Sequence, residues 1–392
     1  MPDRNLEQAY ADVFSWCRQR DFAGYDPFDG LNSHLFQATP LRNSRTARLL
    51  WTQFFKRSPV NLRSLARIAP ERNAKGIALF ALAALATYRT RPTKEAEIDA
   101  RELLDDLTSM RLKGFKGAAW GYNFDWQGRA FFAPRGTPTL VPTAFAARAL
   151  VEAAQTFDNK EYLPFSRTIC DFILNDLHRS GEAADEVCFS YSPLDQTRVF
   201  NASLLAGETL AVVGLLSGEP SLCEWARRAA RYVVRRQRQD GSWTYGADDY
   251  QSWADNFHTA FILTSLSRII NSCESAREEF EPALLRGYEF WRDQFFLANG
   301  WPKFFPDRLF PADAHSAGAA LVALAELRGH APGALSLADK IAHWTLENLR
   351  GSEGYFYYQR RRFFRIRIPY MRWSEAWMAY GLARIAQVRS KK

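Results

Sequence analysis

Two histidines occupy matching places in two helical runs. His258 stands in "ADNFHTAFILTSLSRI" and His315 in "ADAHSAGAALVALAEL", 57 residues further on. Each closely follows an aspartate, Asp255 or Asp313. Imidazole changes charge near neutrality, and a carboxylate beside it orients the ring for proton exchange. A third acid, Glu375, lies in "MRWSEAWM" just after Arg372. Two chemistries suit these residue types. Asp255, Asp313 and Glu375 offer the acid and base of a paired-carboxylate hydrolase. Alternatively, His258 or His315 is the base at a uronic acid in a lyase or C5-epimerase, with Asn256 and Arg372 neutralising the sugar carboxylate. Each residue also has a purely structural reading: the aspartates as N-caps, the histidines as satisfied core groups, and Glu375 as a partner of the helix dipole.

The spacing extends beyond the two histidines. Similar small-residue helices start near Thr143, Asn201, His258, His315 and Trp373, at intervals of 58, 57, 57 and 58 residues. A period this long marks a repeated supersecondary unit. In each unit an Ala- and Gly-rich helix, apolar nearly all round, is followed by a more charged amphipathic one such as "LCEWARRAARYVVRRQ". The N-terminal stretches "LEQAYADVFSWCRQR", "SRTARLLWTQFFKR", "KGIALFALAALATYR" and "EAEIDARELLDDLTSMR" also read as helices. Together they make about twelve or thirteen helices, enough for six hairpins. The expected fold is all-α: an (α/α)6 toroid in a single domain spanning 1–392, with short β-hairpins at its mouth. Starts in constant register then converge on one cavity, where helix N-termini favour an anionic ligand.

Aromatic loops precede the apolar helices. Trp120, Tyr122, Tyr191, Trp243, Tyr245 and Trp301 sit in them, and Trp373 stands at the last helix start. Such rings suit stacking on sugars or enclosing a polyprenyl chain. With Asn201, Asn256 and Arg372 they form the expected substrate-binding set. "QRRRFFRIRIPYMRW" crowds six arginines into fifteen residues, which suits carboxylate or phosphate recognition. No recognised nucleic-acid module accompanies it, so nucleic acid is not the expected partner. "YDPFDGLNS" reads as a rigid turn whose Asp26 and Asp29 close the cavity or bind a sugar hydroxyl.

The 392 residues, 47% hydrophobic and 24% charged, suffice for a large core. Five scattered cysteines show no C-x-x-C spacing, so neither a disulfide framework nor a metal site is expected. The polar opening "MPDRNLEQAYADVF" lacks a leader pattern, and the apolar run at 76–88 is too short for a bilayer. A cytoplasmic protein without a cofactor is expected.

Two resemblances add to this reading. Gln237, Gly241 and Trp243 in "QRQDGSW" resemble the Q-x-x-x-G-x-W repeat of squalene cyclases and prenyltransferases. The acidic and zinc-binding motifs of those enzymes have no counterpart here, so this likeness implies the toroid without the chemistry. "YDPFDGLNS", "DNFHT", "DAHS" and "MRWSEAWM" together resemble uncharacterised bacterial proteins of exopolysaccharide gene clusters. That resemblance implies a role with a saccharide or its lipid-linked precursor, in a membrane-associated synthesis complex. The alternatives are a non-catalytic saccharide- or isoprenoid-binding component and a diverged terpene-cyclase-like enzyme.

Overall fold

The computed structural model describes residues 2–157 and 161–390. Its helices, in chain order, are α1 (Pro2–Arg18), α2 (His34–Gln37), α3 (Arg45–Arg57), α4 (Ala74–Thr90), α5 (Lys94–Ser109), α6 (Leu140–Phe157) and α7 (Tyr162–Asn175). They continue as α8 (Phe200–Ser217), α9 (Pro220–Val234), α10 (Asn256–Ser272), α11 (Ala276–Phe295), α12 (Ala314–Leu327), α13 (Ala334–Leu349) and α14 (Ala376–Ser390). A single π-helical turn, Met371–Glu375, leads into α14.

Helices α4, α6, α8, α10, α12 and α14 pack neighbour to neighbour, and α14 returns to α4. They form a closed inner ring. Helices α5, α7, α9, α11 and α13 each lie outside the inner helix they follow, while α1 covers α14. The first helix of the chain thus completes the last hairpin. The inner helices are buried because they are apolar on every face. Asn73, Asp255 and Asp313 cap α4, α10 and α12 by accepting from backbone N–H groups of the first turn. Close approach is set by small residues. A Cβ on Gly318 of α12 would lie 2.6 Å from the Trp377 carbonyl of α14.

The ring is not wholly apolar. Arg89, Arg148, Glu152, Glu208, Arg268, Glu326 and Arg384, at least one from every inner helix, form a connected ionic girdle beyond the helix starts. Arg148 grips Glu208 bidentately at 2.8 and 2.6 Å. Alternating charge lets each buried group meet an opposite partner, as burial requires.

The expected β-hairpins are present at the loop end. Strands β1 (Trp126–Gln127) and β2 (Phe132–Ala133) pair, as do β3 (Arg179–Glu182) and β4 (Val187–Phe189). Strand β5 (Ala312–Asp313) pairs with β6 (Gln359–Arg360), which pairs with β7 (Arg365–Ile366). A turn at Pro306-Asp307 is closed by an isolated bridge between Phe305 and Arg308. Two helices, α2 and α3, belong to neither layer. The segment carrying α2 and α3 is placed over the inner-helix starts, with Lys56 of α3 reaching Phe28 and Trp373.

Candidate functional site

The helix starts do converge. Phe257 of α10 packs 4.4 Å from His315 of α12, which lies 4.1 Å from Trp373 at the head of α14. His258, beside Phe257, points toward Tyr245, 4.7 Å away between ring centres.

Asp255 makes two bonds that define His258. Its Oδ1 accepts from the His258 backbone N–H at 3.0 Å, and its Oδ2 lies 2.7 Å from His258 Nδ1. One carboxylate therefore caps the helix and orients the ring, leaving Nε2 as the nitrogen not engaged by Asp255. The carboxylate is buried, whereas the imidazole keeps 22% of its surface exposed. That combination gives a held imidazole with access to solvent.

His315 is different. It is wholly buried, and among the described residues no group hydrogen-bonds to Nδ1 or Nε2. Burial holds it well below the ordinary histidine range, and the cations Lys75 and Arg372 push the same way. Lys75 lies deeper in the ring, its ammonium 4.7 Å from Phe145, 5.1 Å from Phe261 and 5.2 Å from Trp377. Burial drives it well below the usual lysine range, with Arg372 adding to the effect. Asp313 caps α12 through Oδ1, 2.8 Å from Ser316 N, while among the described residues Oδ2 makes no hydrogen bond of full geometry, with Gln359 and Trp373 close enough to act on it. Burial raises its pKa against the pull of Ser316, Gln359 and Trp373.

Several expected ligand groups are already engaged. Arg372 is gripped bidentately by Asp26 at 2.6 and 2.8 Å, both side chains being buried. It is therefore spent on an internal carboxylate. Asn256 donates to Lys303 O and accepts from Trp291 Nε1, so it pins a loop to an outer helix. Trp120, Trp243 and Trp301 donate their indole N–H groups to the backbone carbonyls of Leu107, Val233 and Leu309. They are wedged into the packing, so they do not present rings to a ligand. Glu375 is fully buried and accepts from Phe356 N at 2.8 Å, and burial holds its pKa well above the carboxylate range. It lies near Cys17 of α1, so it faces the helix layers. The motif "QRQDGSW" is likewise structural. Gln237 donates to Gly241 O and Ala283 O, and Gly241 has φ +88° with no room for a Cβ against Arg286 O.

The remaining expected residues do share the mouth. Tyr122 and Tyr191 join through their hydroxyls at 3.2 Å, and Tyr245 stacks on Trp253 at 4.7 Å. Asn201 is buried with its Oδ1 unpartnered, beside the backbone bond from Phe200 N to Tyr245 O. Trp373 lies between Phe28 and Phe257, its indole nitrogen making no hydrogen bond of full geometry among the described residues.

Sequence reading missed Lys56. It comes from outside the repeat, so no register pointed to it. Its ammonium lies 4.2 Å from the Phe28 ring, close enough to Asp313 and Asp255 to feel both charges. Burial lowers its pKa to about 8 despite those two carboxylates. Asp26 and Asp29 prove to be latches: Asp26 holds Arg372, and Asp29 accepts from Arg63 at 2.7 Å. Burial pushes Asp29 up to about 6 against that guanidinium.

No protein-family model and no curated protein matches the sequence. Solved structures do match in shape. A sugar epimerase from a ruminal bacterium aligns with TM-score 0.64 at 12% identity, covering 82% of this chain and 90% of that one. Cellobiose 2-epimerase from Bacillus thermoamylovorans gives 0.64 at 12%, covering 83% and 90%. The family 76 α-mannanase of Bacteroides thetaiotaomicron gives 0.61 at 11%, covering 83% and 88%. The fold is the (α/α)6 toroid. Identities this low carry the toroid's shape and leave its chemistry to the residues at the mouth.

Proposed function

We propose that the toroid mouth is the active site of a carbohydrate-processing enzyme that moves a proton on carbon, of the epimerase, isomerase or lyase kind. The observation that carries this is the held and accessible imidazole of His258, fixed by Asp255 at 2.7 Å. Its Nε2 removes a proton from a carbon next to a carbonyl or carboxylate, and the electron pair moves into that group. Lys56, rather than the sequestered Arg372, is the cation positioned to offset the negative charge that forms. Return of a proton gives the epimer, and loss of a β-substituent gives the unsaturated sugar. Tyr122, Tyr191, Tyr245 and Trp253 supply the flat wall against which a sugar ring packs. The toroidal sugar epimerases and α-mannanase among the structural matches support a saccharide substrate. The exopolysaccharide setting rests on the motif resemblance alone.

A second reading is glycoside hydrolysis, favoured by the raised pKa of buried Asp313, which suits a general acid. The test is incubation in D2O with reducing disaccharides and uronate oligosaccharides, followed by NMR. Deuterium on carbon, or an unsaturated product, supports the proposal. Glycosidic cleavage without carbon-bound deuterium supports hydrolysis. Binding with neither outcome identifies a non-catalytic saccharide receptor.

A further inference from the structure

The chain carries a net charge of +8, and seven positive charges with no acidic residue lie between Gly30 and Pro70. The arginine-rich stretch in and just after α9 is neutralised by contrast: Arg227, Arg228, Arg231, Arg235 and Arg236 each meet a carboxylate. Within 30–70, Arg63 pairs with Asp29, whereas Arg42, Arg45 and Arg48 turn to carbonyl or amide oxygens. Among the described residues, Arg57 and Arg67 have no carboxylate partner within ion-pair distance. The field of this segment is left open to solvent.

The same segment exposes large apolar side chains. Leu41 is 54% exposed, Leu50 67%, Phe54 50%, Val60 60% and Leu65 74%. Leu50 and Phe54 are four residues apart on α3, so they share its outer face with Arg57, one turn on. A second patch of the same kind flanks the mouth. At the tip between β6 and β7, Phe363 is 85% exposed and Phe364 46%, set among Arg361, Arg362 and Arg365. Both patches lie at the loop end. Lys56 of α3 reaches Trp373, and β6 pairs with the strand that starts α12.

We infer that the mouth end docks on a bilayer carrying anionic lipids. Unneutralised guanidiniums meet the headgroups, while Leu50, Phe54, Phe363 and Phe364 enter the interfacial layer. Leu41, Leu50, Val60 and Leu65 of the 30–70 segment are aliphatic; they gain from acyl chains and offer no ring for a nucleobase to stack on, which favours lipid over nucleic acid. The toroid mouth then faces the membrane surface. The inference is independent of which reaction the mouth performs.

The test is co-sedimentation of the full-length protein with vesicles of phosphatidylcholine alone or mixed with phosphatidylglycerol. Binding is expected only with the anionic lipid and weakens as salt rises. Arg57→Gln and Arg362→Gln should each reduce partitioning about fivefold. The double change Leu50→Glu with Phe54→Glu should abolish it with an unchanged melting curve, since both side chains already face water. Failure to bind anionic vesicles overturns the inference, as does equal binding by the double variant. Light scattering that shows a dimer lost in the double variant identifies the face as a contact between copies, and this also overturns it. Retention on duplex DNA or heparin without vesicle binding has the same consequence.

Discussion

The two histidines differ in both partner and burial. Asp255 holds His258 at 2.7 Å with part of the ring in reach of solvent, whereas Asp313 leaves His315 sealed and unpartnered. His258→Gln should therefore lower kcat by ~10²–10⁴-fold. Its melting temperature should barely move, because the helix cap is formed by the His258 backbone. A simultaneous loss of stability and unchanged turnover per folded molecule would assign His258 a packing role. Lys56 makes a separate prediction. Its pKa is lowered to about 8, so the ammonium is present below that pH and lost above it. The rate should fall as pH rises through about 8, and Lys56→Arg should move that limb upward by retaining the cation. Lys56→Met should cut kcat about 10²-fold at neutral pH, measured on the substrate found by deuterium exchange. The two histidines look alike in sequence because both stand at a helix start. Burial, which separates them, depends on Phe257 and Trp373 closing over His315.

At the scale of elements, hairpins repeating every 57–58 residues were legible because inner helices are apolar all round and outer ones are amphipathic. The first hairpin partner was not: α1 packs on α14, at the opposite end of the chain. Nor was the role of α3 legible, since its pattern is that of any amphipathic helix. Contact between α12 and α14 depends on Gly318, where a Cβ would meet the Trp377 carbonyl at 2.6 Å. Gly318→Ala should destabilise the fold by about 1–3 kcal/mol through overpacking, read from urea unfolding. Because Trp377 also lies 5.0 Å from His315, displacement there should perturb the mouth as well. A neutral Gly318→Ala would show that α14 slides freely.

The whole molecule is tied together by the girdle of Arg89, Arg148, Arg268 and Arg384 with Glu152, Glu208 and Glu326. Burial raises the pKa of Glu326 and Glu152, but the arginines outweigh it and hold both below the usual carboxylate range. A folded pKa below the unfolded value means that their contribution is complete above the unfolded pKa of about 4.3. It is lost as pH falls through the folded values. The girdle's share of the melting temperature should stay level from neutral pH to about 5 and then decline. Glu326→Gln should lower stability at neutral pH and flatten that decline, as measured by calorimetry across pH. An unchanged acid limb would place acid sensitivity elsewhere.

From the amino-acid sequence alone came the helical repeat, the closed ring it implies, and the gathering of Asp255, His258, Asp313 and His315 at one end. These follow from local periodicity, and in a closed ring constant register becomes convergence. Only tertiary structure decided which side chains remain available to a ligand. Arg372 is spent on Asp26, 346 residues away, and Asn256 on Trp291, while Lys56 is supplied by a helix outside the repeat. Such pairings depend on how far each charge is buried and on which distant partner satisfies it, and neither leaves a periodic trace in the chain.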